Sequence, residues 1–455
     1  MNILIITTCF KPDSAIAAVR PYMLARHLSN MGERVTVLRS GAFEMLPFNE
    51  YDQDEEKFEV ISALGENCDA EKFKRGEYVA SKHLIKPKYS FLPLPVKVSL
   101  RLLRDIIRMI SGKKIPKCLE NMTEVLKFQK KIIDDISDRH YDVVFATFGA
   151  IENIPAGIYA AEVFDAKLII DYRDSAIRHD EWMDLLWNSY ARNLNKTVVK
   201  KADCITAVSN AITEEMKSYG SKADVVTIYN GFDDTADLPE ADITKDVLSI
   251  CYTGRLYRDR LPALFILAEC IADMIDNGII NRKNIKFKYA GSDSAEFLNV
   301  LNKAKIADLF QDSGYLSRLE TLKLQISSDV FLVLSWNNRN SQGILTGKFY
   351  EGIQAGKPII ACVSGKTPNS ELMQLQKKYN YGFCFEEACK KEYIKELKFY
   401  IEKIYKEKLE NGILSYQPSD ELYQEFSYTC ISDKVHNIMR KLAASNGADG
   451  KDKNN

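Results

Sequence analysis

Lys348 and Glu351 stand three residues apart in the stretch SQGILTGKFYEGIQAGKPIIA, Ser341 to Ala361. A helix would put both on one face. A helix N-terminus with free N–H groups and a nearby lysine suits phosphate, and a carboxylate one turn further in suits the two hydroxyls of a ribose. Gly343 and Gly347 let the backbone come close to a ligand. The combination reads as a pocket for a nucleoside diphosphate. Taken alone, Lys348 and Glu351 would be the charged face of an ordinary surface helix.

A second group of cations sits upstream in CYTGRLYRDR. Gly254 permits a tight turn after an apolar strand, and Arg255 and Arg260 follow it in a loop. Guanidinium groups at the C-terminal edge of a strand suit a pyrophosphate, at ~1.5–3 kcal/mol for each charge-assisted contact. Lys348 would approach the same phosphates from the other loop. The competing reading of either arginine alone is a surface charge cluster around Arg258, Asp259 and Arg260.

Other chemistries find little support. The only Asp-x-Asp candidate, Asp52-Gln53-Asp54, lies in an acidic loop with no strand before it, so metal-independent transfer is expected. The five histidines have no ligand spacing, and the ten cysteines form no Cys-x-x-Cys pair. Most cysteines sit in apolar runs, as reduced thiols of a cytosolic protein would.

The elements that must position these residues alternate along the chain. Strands are expected at Asn2–Thr7, Glu33–Leu38, Val143–Ala146, Leu168–Asp171 and Cys204–Val208, with a helix over Val19–Met31. The second half repeats the grammar, with strands at Leu248–Tyr252, Ile285–Ala290, Val330–Ser335 and Pro358–Ala361. In the opening stretch, Ile344, Phe349 and Ile353 give a helix over Thr346–Ala355 its apolar side, and Gly356 and Pro358 end it. Such alternation implies parallel sheets with helices on both faces, whose ligands bind outside the carboxyl ends of the strands.

A chain of 455 residues is too long for one core. The expected division is a first domain over 1–230, an acidic linker over 231–246, a second domain over 247–425, a C-terminal helix over 426–444 crossing back to the first domain, and a disordered tail over 445–455. The net charge of −1 argues against nucleic-acid partners. MNILIITTCFKP carries no basic leader and reads as a first strand rather than a signal peptide.

One segment breaks the pattern. Lys82–Lys117 holds ten Lys and Arg residues against a single acid, Asp105. Leu100, Leu103, Ile106, Ile107 and Ile110 share a helical face that Arg101, Arg104 and Arg108 flank. This basic amphipathic pattern suits an anionic membrane surface, where each cation contributes roughly 1 kcal/mol. The alternative is an insertion packed on the domain with a solvated basic face.

Several stretches together resemble the family 4 (group 1) glycosyltransferases of the GT-B fold. They are ILIITTCFKPDSAIAAVRPYMLARHLSNMGERVTVL, ADCITAVSNAITEEMKSYG with VVTIYNGFD, CYTGRLYRDR, KYAGS, SSDVFLVLS and TGKFYEGIQAGKPIIA. The resemblance covers nearly the whole chain apart from the basic insertion and the tail. It implies two Rossmann-like α/β domains facing across a cleft. Arg255 and Arg260 would hold the donor diphosphate with Lys348, and Glu351 would match the second glutamate of the family's Glu-x7-Glu motif, which binds the ribose. The first glutamate of that motif is replaced here by Gly343. The GILTGKxxE form resembles a branch of bacterial surface-polysaccharide enzymes, so sugar contacts would fall to Gln342, Thr346 and the Gly343 and Gly347 backbone.

The same resemblance places catalysis in LIIDYRDSAIRHDEW, with Arg173 where many members carry a histidine. Arg173 would steady the leaving phosphate, Asp171 and Asp174 would hold it or contact acceptor hydroxyls, and His179 and Arg20 would face the acceptor. Helix capping and an ion pair compete for Asp171 and Asp174, and a structural ion pair competes for Arg20. The implied activity is transfer of a hexosyl group from a UDP- or GDP-sugar to a glycan or lipid-linked acceptor, retaining, with no resident cofactor or metal. The implied place is the cytoplasm, peripheral on the inner face of the plasma membrane. The alternatives are a nucleotide-sugar 2-epimerase on the same fold, and a degenerate subunit that binds nucleotide sugar without turnover.

Overall fold

The computed structural model describes residues 1–11, 16–40, 57–62, 117–177 and 185–449. Most of the basic segment over 82–117, Asp52–Asp54 and His179 lie outside the described residues. The chain divides into two compact units. Unit one is Met1–Val208, Ile212–Thr227 and Ser432–Asn455, and unit two is Ser209–Ala211 and Ile228–Ile431.

Unit one is built on a seven-stranded sheet. Its strands are β1 (Asn2–Thr7), β2 (Arg34–Arg39), β3 (Glu59–Ser62), β4 (Val143–Phe148), β5 (Lys167–Tyr172), β6 (Cys204–Ala207) and β7 (Asp224–Thr227). The order is β3-β2-β1-β4-β5-β6-β7 and every pairing is parallel. Parallel neighbours need crossovers, and α1 (Ile16–Asn30), α2 (Lys117–Asp135), α3 (Asn153–Phe164), α4 (Leu185–Lys201) and α5 (Asn210–Ser218) lie between the strands in sequence. All six residues of β4 are buried. Strands covered on both faces must read as continuous apolar runs, which is why this one is visible in the sequence.

Unit two repeats the plan with six strands. They are β8 (Leu248–Thr253), β9 (Ile285–Ala290), β10 (Phe310–Asp312), β11 (Val330–Trp336), β12 (Ile359–Ser364) and β13 (Gly382–Glu386), in the order β10-β9-β8-β11-β12-β13. The helices are α6 (Leu261–Asp276), α7 (Ser294–Lys303), α8 (Arg318–Ile326), α9 (Gly347–Gln354), α10 (Glu371–Tyr379), α11 (Lys390–Asn411) and α12 (Asp420–Phe426). The last helix, α13 (Tyr428–Asp449), starts in unit two and continues in unit one. It takes in Ser445–Asp449, which the sequence reading gives to a disordered tail. His436 on α13 sits 2.6 Å from Glu33 in unit one. Residues 231–246 hold no helix or strand beyond an isolated bridge from Phe232 to Ser427.

Each sheet reverses its strand order once, between β1 and β4 and between β8 and β11. At the second reversal the pairing is short. β8 meets β11 only at Ile250–Val330 and Cys251–Phe331, whereas β11 and β12 stay paired from Phe331–Ile359 to Trp336–Ser364. The ends of β8 and β11 therefore pair outward, with β9 and β12, and not with each other, at the place where such sheets take their ligands.

A buried ion pair fastens α11 under this point. Lys408 Nζ lies 2.5 Å from Asp329 Oδ1, with the two side chains 0% and 2% exposed. The other Asp329 oxygen accepts from the Ser249 N–H and hydroxyl, each at 2.8 Å. Removing one partner leaves a buried charge uncompensated, so Lys408→Met should cost roughly 3–5 kcal/mol in denaturant unfolding. A loss below 1 kcal/mol would show that water reaches Asp329.

Candidate functional site

The polar cluster of unit two forms around the end of β8. Gly254 follows that strand with φ +101°, in the left-handed region that glycine tolerates. Its lack of a side chain is also a matter of space. A β-carbon there would stand 2.8 Å from Lys348 Cε and 3.4 Å from Nζ. Lys348, in the first turn of α9, thus lays its ammonium across the backbone at Gly254. Both Glu351 oxygens take that ammonium, at 2.8 and 2.8 Å. The pair is about a quarter exposed, 24% and 26%, so solvent screens it only in part.

Gln325, on α8, completes the cluster. Its Nε2 donates to Glu351 Oε2 at 2.7 Å and to Thr253 Oγ1 at 2.9 Å. Both Gln325 and Thr253 are buried. Thr346 caps α9 through its extended backbone, without a side-chain bond, and its hydroxyl is buried and unpartnered. The first N–H groups of α9 have no partner within the helix, and they begin at Gly347, beside Lys348.

The two arginines expected on the diphosphate differ. Arg255 is exposed, and its carbonyl accepts from the Tyr252 hydroxyl at 2.7 Å. Arg260 is buried. Its guanidinium sits 4.7 Å from the Tyr257 ring and 5.2 Å from the Trp336 ring, and Nη1 reaches the Tyr252 hydroxyl at 3.3 Å. Arg260 is therefore built into the wall of unit two. Gln342 is exposed and donates to the Arg339 carbonyl at 3.3 Å.

Gly343 has a steric reason. Its φ is +70°, and a β-carbon would stand 2.6 Å from Ser209 Oγ and 2.7 Å from Ala211 Cβ. No glutamate fits this backbone, so the departure from Glu-x7-Glu is built into the packing.

In unit one, two sequence assignments need correction. Asp171 is fully buried and Arg20 is 2% exposed. Arg20 Nε donates to Asp171 Oδ2 at 3.0 Å and Nη2 to Oδ1 at 2.8 Å. The hydroxyls of Thr147 and Thr206 add bonds of 3.0 and 2.7 Å. Burial lifts the Asp171 pKa, but the Arg20 charge and hydrogen bonds, the Thr206 hydroxyl and the Arg173 charge together outweigh it, and the carboxyl ends below its ordinary value. A carboxylate so enclosed cannot touch an acceptor. The pair ties α1 to β4, β5 and β6, and neither residue serves the catalytic or acceptor role the sequence suggested.

Arg173 and Asp174 lie just beyond β5. Arg173 Nη1 donates to the Ala17 carbonyl at 2.6 Å, and its guanidinium packs 3.5 Å from where a Gly149 β-carbon would be. Asp174 is exposed. The sequence reading missed an amide network near the ends of β1, β2 and β4. Asn153 Nδ2 donates to Thr8 Oγ1 at 3.0 Å and to the Thr147 carbonyl at 3.0 Å, and Gln129 Nε2 joins Asn153 Oδ1 to Ser40 Oγ. No local spacing marks these residues. Among the described residues no group of three or more His, Cys, Asp or Glu could hold a metal ion, and no helix is long and apolar enough to cross a membrane.

With this geometry in place, known proteins resemble the chain in two ways. The model for Glycosyltransferase Family 4 matches residues 17–236. That stretch is similar to a Glycosyltransferase Family 4 domain. No curated protein matches the chain in sequence. Among solved structures, sucrose-phosphate synthase from Thermosynechococcus elongatus aligns with TM-score 0.61 and 14% identity, over 98% of this chain and 100% of that one. Anabaena HepE in complex with UDP and glucose aligns with TM-score 0.57 and 16% identity, over 97% and 100%. The N-terminal domain of Candida albicans trehalose-6-phosphate phosphatase aligns with TM-score 0.60 and 12% identity, over 97% and 97%. The chain has the GT-B glycosyltransferase fold. Identities this low carry the fold and no residue roles.

Two substitutions check the structural assignments. Arg20→Met should lower stability at neutral pH by roughly 3–5 kcal/mol, read by denaturant unfolding. Because the folded Asp171 pKa is depressed, its stabilisation is present above the unfolded value, ~3.9, and is lost as pH falls through the folded one. The wild-type advantage over Arg20→Met should therefore shrink only in strong acid; an advantage that fades already near pH 6 would contradict the pairing. Gly343→Glu should lose at least ~1–2 kcal/mol to the left-handed backbone alone. Unchanged stability in that variant would contradict both the left-handed backbone at position 343 and the contacts of Ser209 and Ala211 with it.

Proposed function

We propose that the chain transfers a hexosyl group from a UDP- or GDP-sugar to a hydroxyl of a glycan acceptor. The observation that carries this reading is the placement of Lys348 across Gly254, with Glu351 one turn behind it and the α9 N-terminus beside it. Lys348 and Arg255 supply cationic groups for a diphosphate, and the free N–H groups of α9 add a partial positive charge. Glu351 is the acceptor for ribose hydroxyls. The solved complex of HepE with UDP-glucose supports a uridine donor on this fold.

Arg173 and Asp174 are the catalytic residues that remain once Asp171 and Arg20 are assigned to the buried pair, and His179 remains the acceptor-side residue. Transfer would proceed by front-face attack with retention and without metal, with Arg173 steadying charge on the leaving diphosphate. The acceptor is a lipid-linked glycan of a surface polysaccharide, and the Lys82–Lys117 segment would hold the protein to the anionic inner face of the plasma membrane. The family likeness and the composition of that segment support these last points.

Thermal shift with UDP, GDP, ADP, CMP and their sugars, without added metal, tests the donor assignment. One diphosphate family should stabilise the protein. Arg255→Ala and Lys348→Ala should each weaken its binding roughly 10–100-fold, the equivalent of ~1.5–3 kcal/mol, and Glu351→Gln should weaken it too. Wild-type binding by all three variants would withdraw the assignment.

A further inference from the structure

Lys348 and Glu351 satisfy one another in this structure, and a nucleotide would have to separate them. A diphosphate competes with Glu351 for the ammonium, since both Glu351 oxygens lie 2.8 Å from Nζ. If Lys348 turns to the phosphates, Glu351 loses its counter-charge at the moment it must face the ribose. A glutamate on a helix surface, released in this way, would ordinarily swing into water.

Gln325 prevents that swing. It is 2% exposed and spends both Nε2 hydrogens, one on Glu351 Oε2 and one on Thr253 Oγ1. The amide orientation follows from the charge, because turning it would set its oxygen against the carboxylate. Thr253 is itself 1% exposed at the end of β8. A rigid strand thus holds an amide, and the amide holds one oxygen of Glu351. The other oxygen, Oε1, stays available to a ligand hydroxyl when Lys348 leaves. The residue type matters. A glutamate at position 325 would repel Glu351, and a lysine would neutralise it in place of Lys348. The amide donates without carrying charge.

We propose that Gln325 is a positioning residue of the donor site: it fixes Glu351 for the ribose while Lys348 exchanges that carboxylate for the diphosphate. The proposal rests on the donor-site reading above. It predicts that the contribution of Gln325 is confined to the ribose and is invisible to the phosphates.

The test compares binding of the ribonucleoside diphosphate that the wild type selects with its 2′-deoxy and 3′-deoxy forms and with inorganic pyrophosphate. Wild type should favour the ribonucleotide over at least one deoxy form by ~10-fold, as expected for a hydrogen bond to a charged group. Gln325→Leu should lose about that factor for the ribonucleotide, keep its affinity for the deoxy form and for pyrophosphate, and so lose the discrimination. Thr253→Val, nearly isosteric, should reduce the discrimination by a smaller factor, and it serves if Gln325→Leu does not fold. Folded variants that discriminate as wild type does would overturn the role of Gln325 and leave the donor site standing. A wild type that binds no nucleoside diphosphate would overturn both.

Discussion

One close approach sets up the polar cluster of unit two. The Lys348 side chain crosses the backbone at Gly254 where a β-carbon would stand 2.8 Å away. That crossing needs a glycine in the left-handed region immediately after β8, and it needs α9 to begin opposite the end of that strand. Both follow from the doubly wound sheet, which reverses its order between β8 and β11 and leaves their ends not paired with each other. Glu351 then falls one turn along α9, where it meets Lys348 on one side and Gln325 on the other. The cation, the carboxylate and the amide form one network, and a ligand that draws on any one of them disturbs the others.

The fold was legible because parallel strands covered on both faces leave continuous apolar runs. β1, β4, β5, β8 and β11 stand out for that reason, β9 through the alternation of IKFKYA, and their observed limits lie within a few residues of the expected ones. Four of the described strands were not foreseen, β3, β7, β10 and β13, and none has more than five residues. β10 is Phe310–Asp312, and β7 alternates exposed and half-buried residues. Neither offers a run long enough to separate from a loop.

The candidate site was legible only where its residues are close in sequence. Lys348 and Glu351 are one helical turn apart, and that spacing alone brings them together. Gln325 lies 26 residues from Glu351 and 72 from Thr253, so its place in the cluster exists only in the folded chain. The pairing of Arg20 with Asp171, 151 residues apart, is hidden for the same reason. A strand-end aspartate and a helix-start arginine look like ligand residues in sequence, and burial decides otherwise. Gly343 goes the other way. Its departure from the glutamate of the family pattern looks like a loss, whereas the backbone and its contacts leave room for nothing larger.

The most direct measurement is a crystal structure with the nucleoside diphosphate that binds. The account predicts the ribose hydroxyls on Glu351, Lys348 turned from Glu351 to the diphosphate, and Arg255 closing on the same phosphates. A nucleotide found elsewhere, or bound with the Lys348–Glu351 pair still intact, would contradict it.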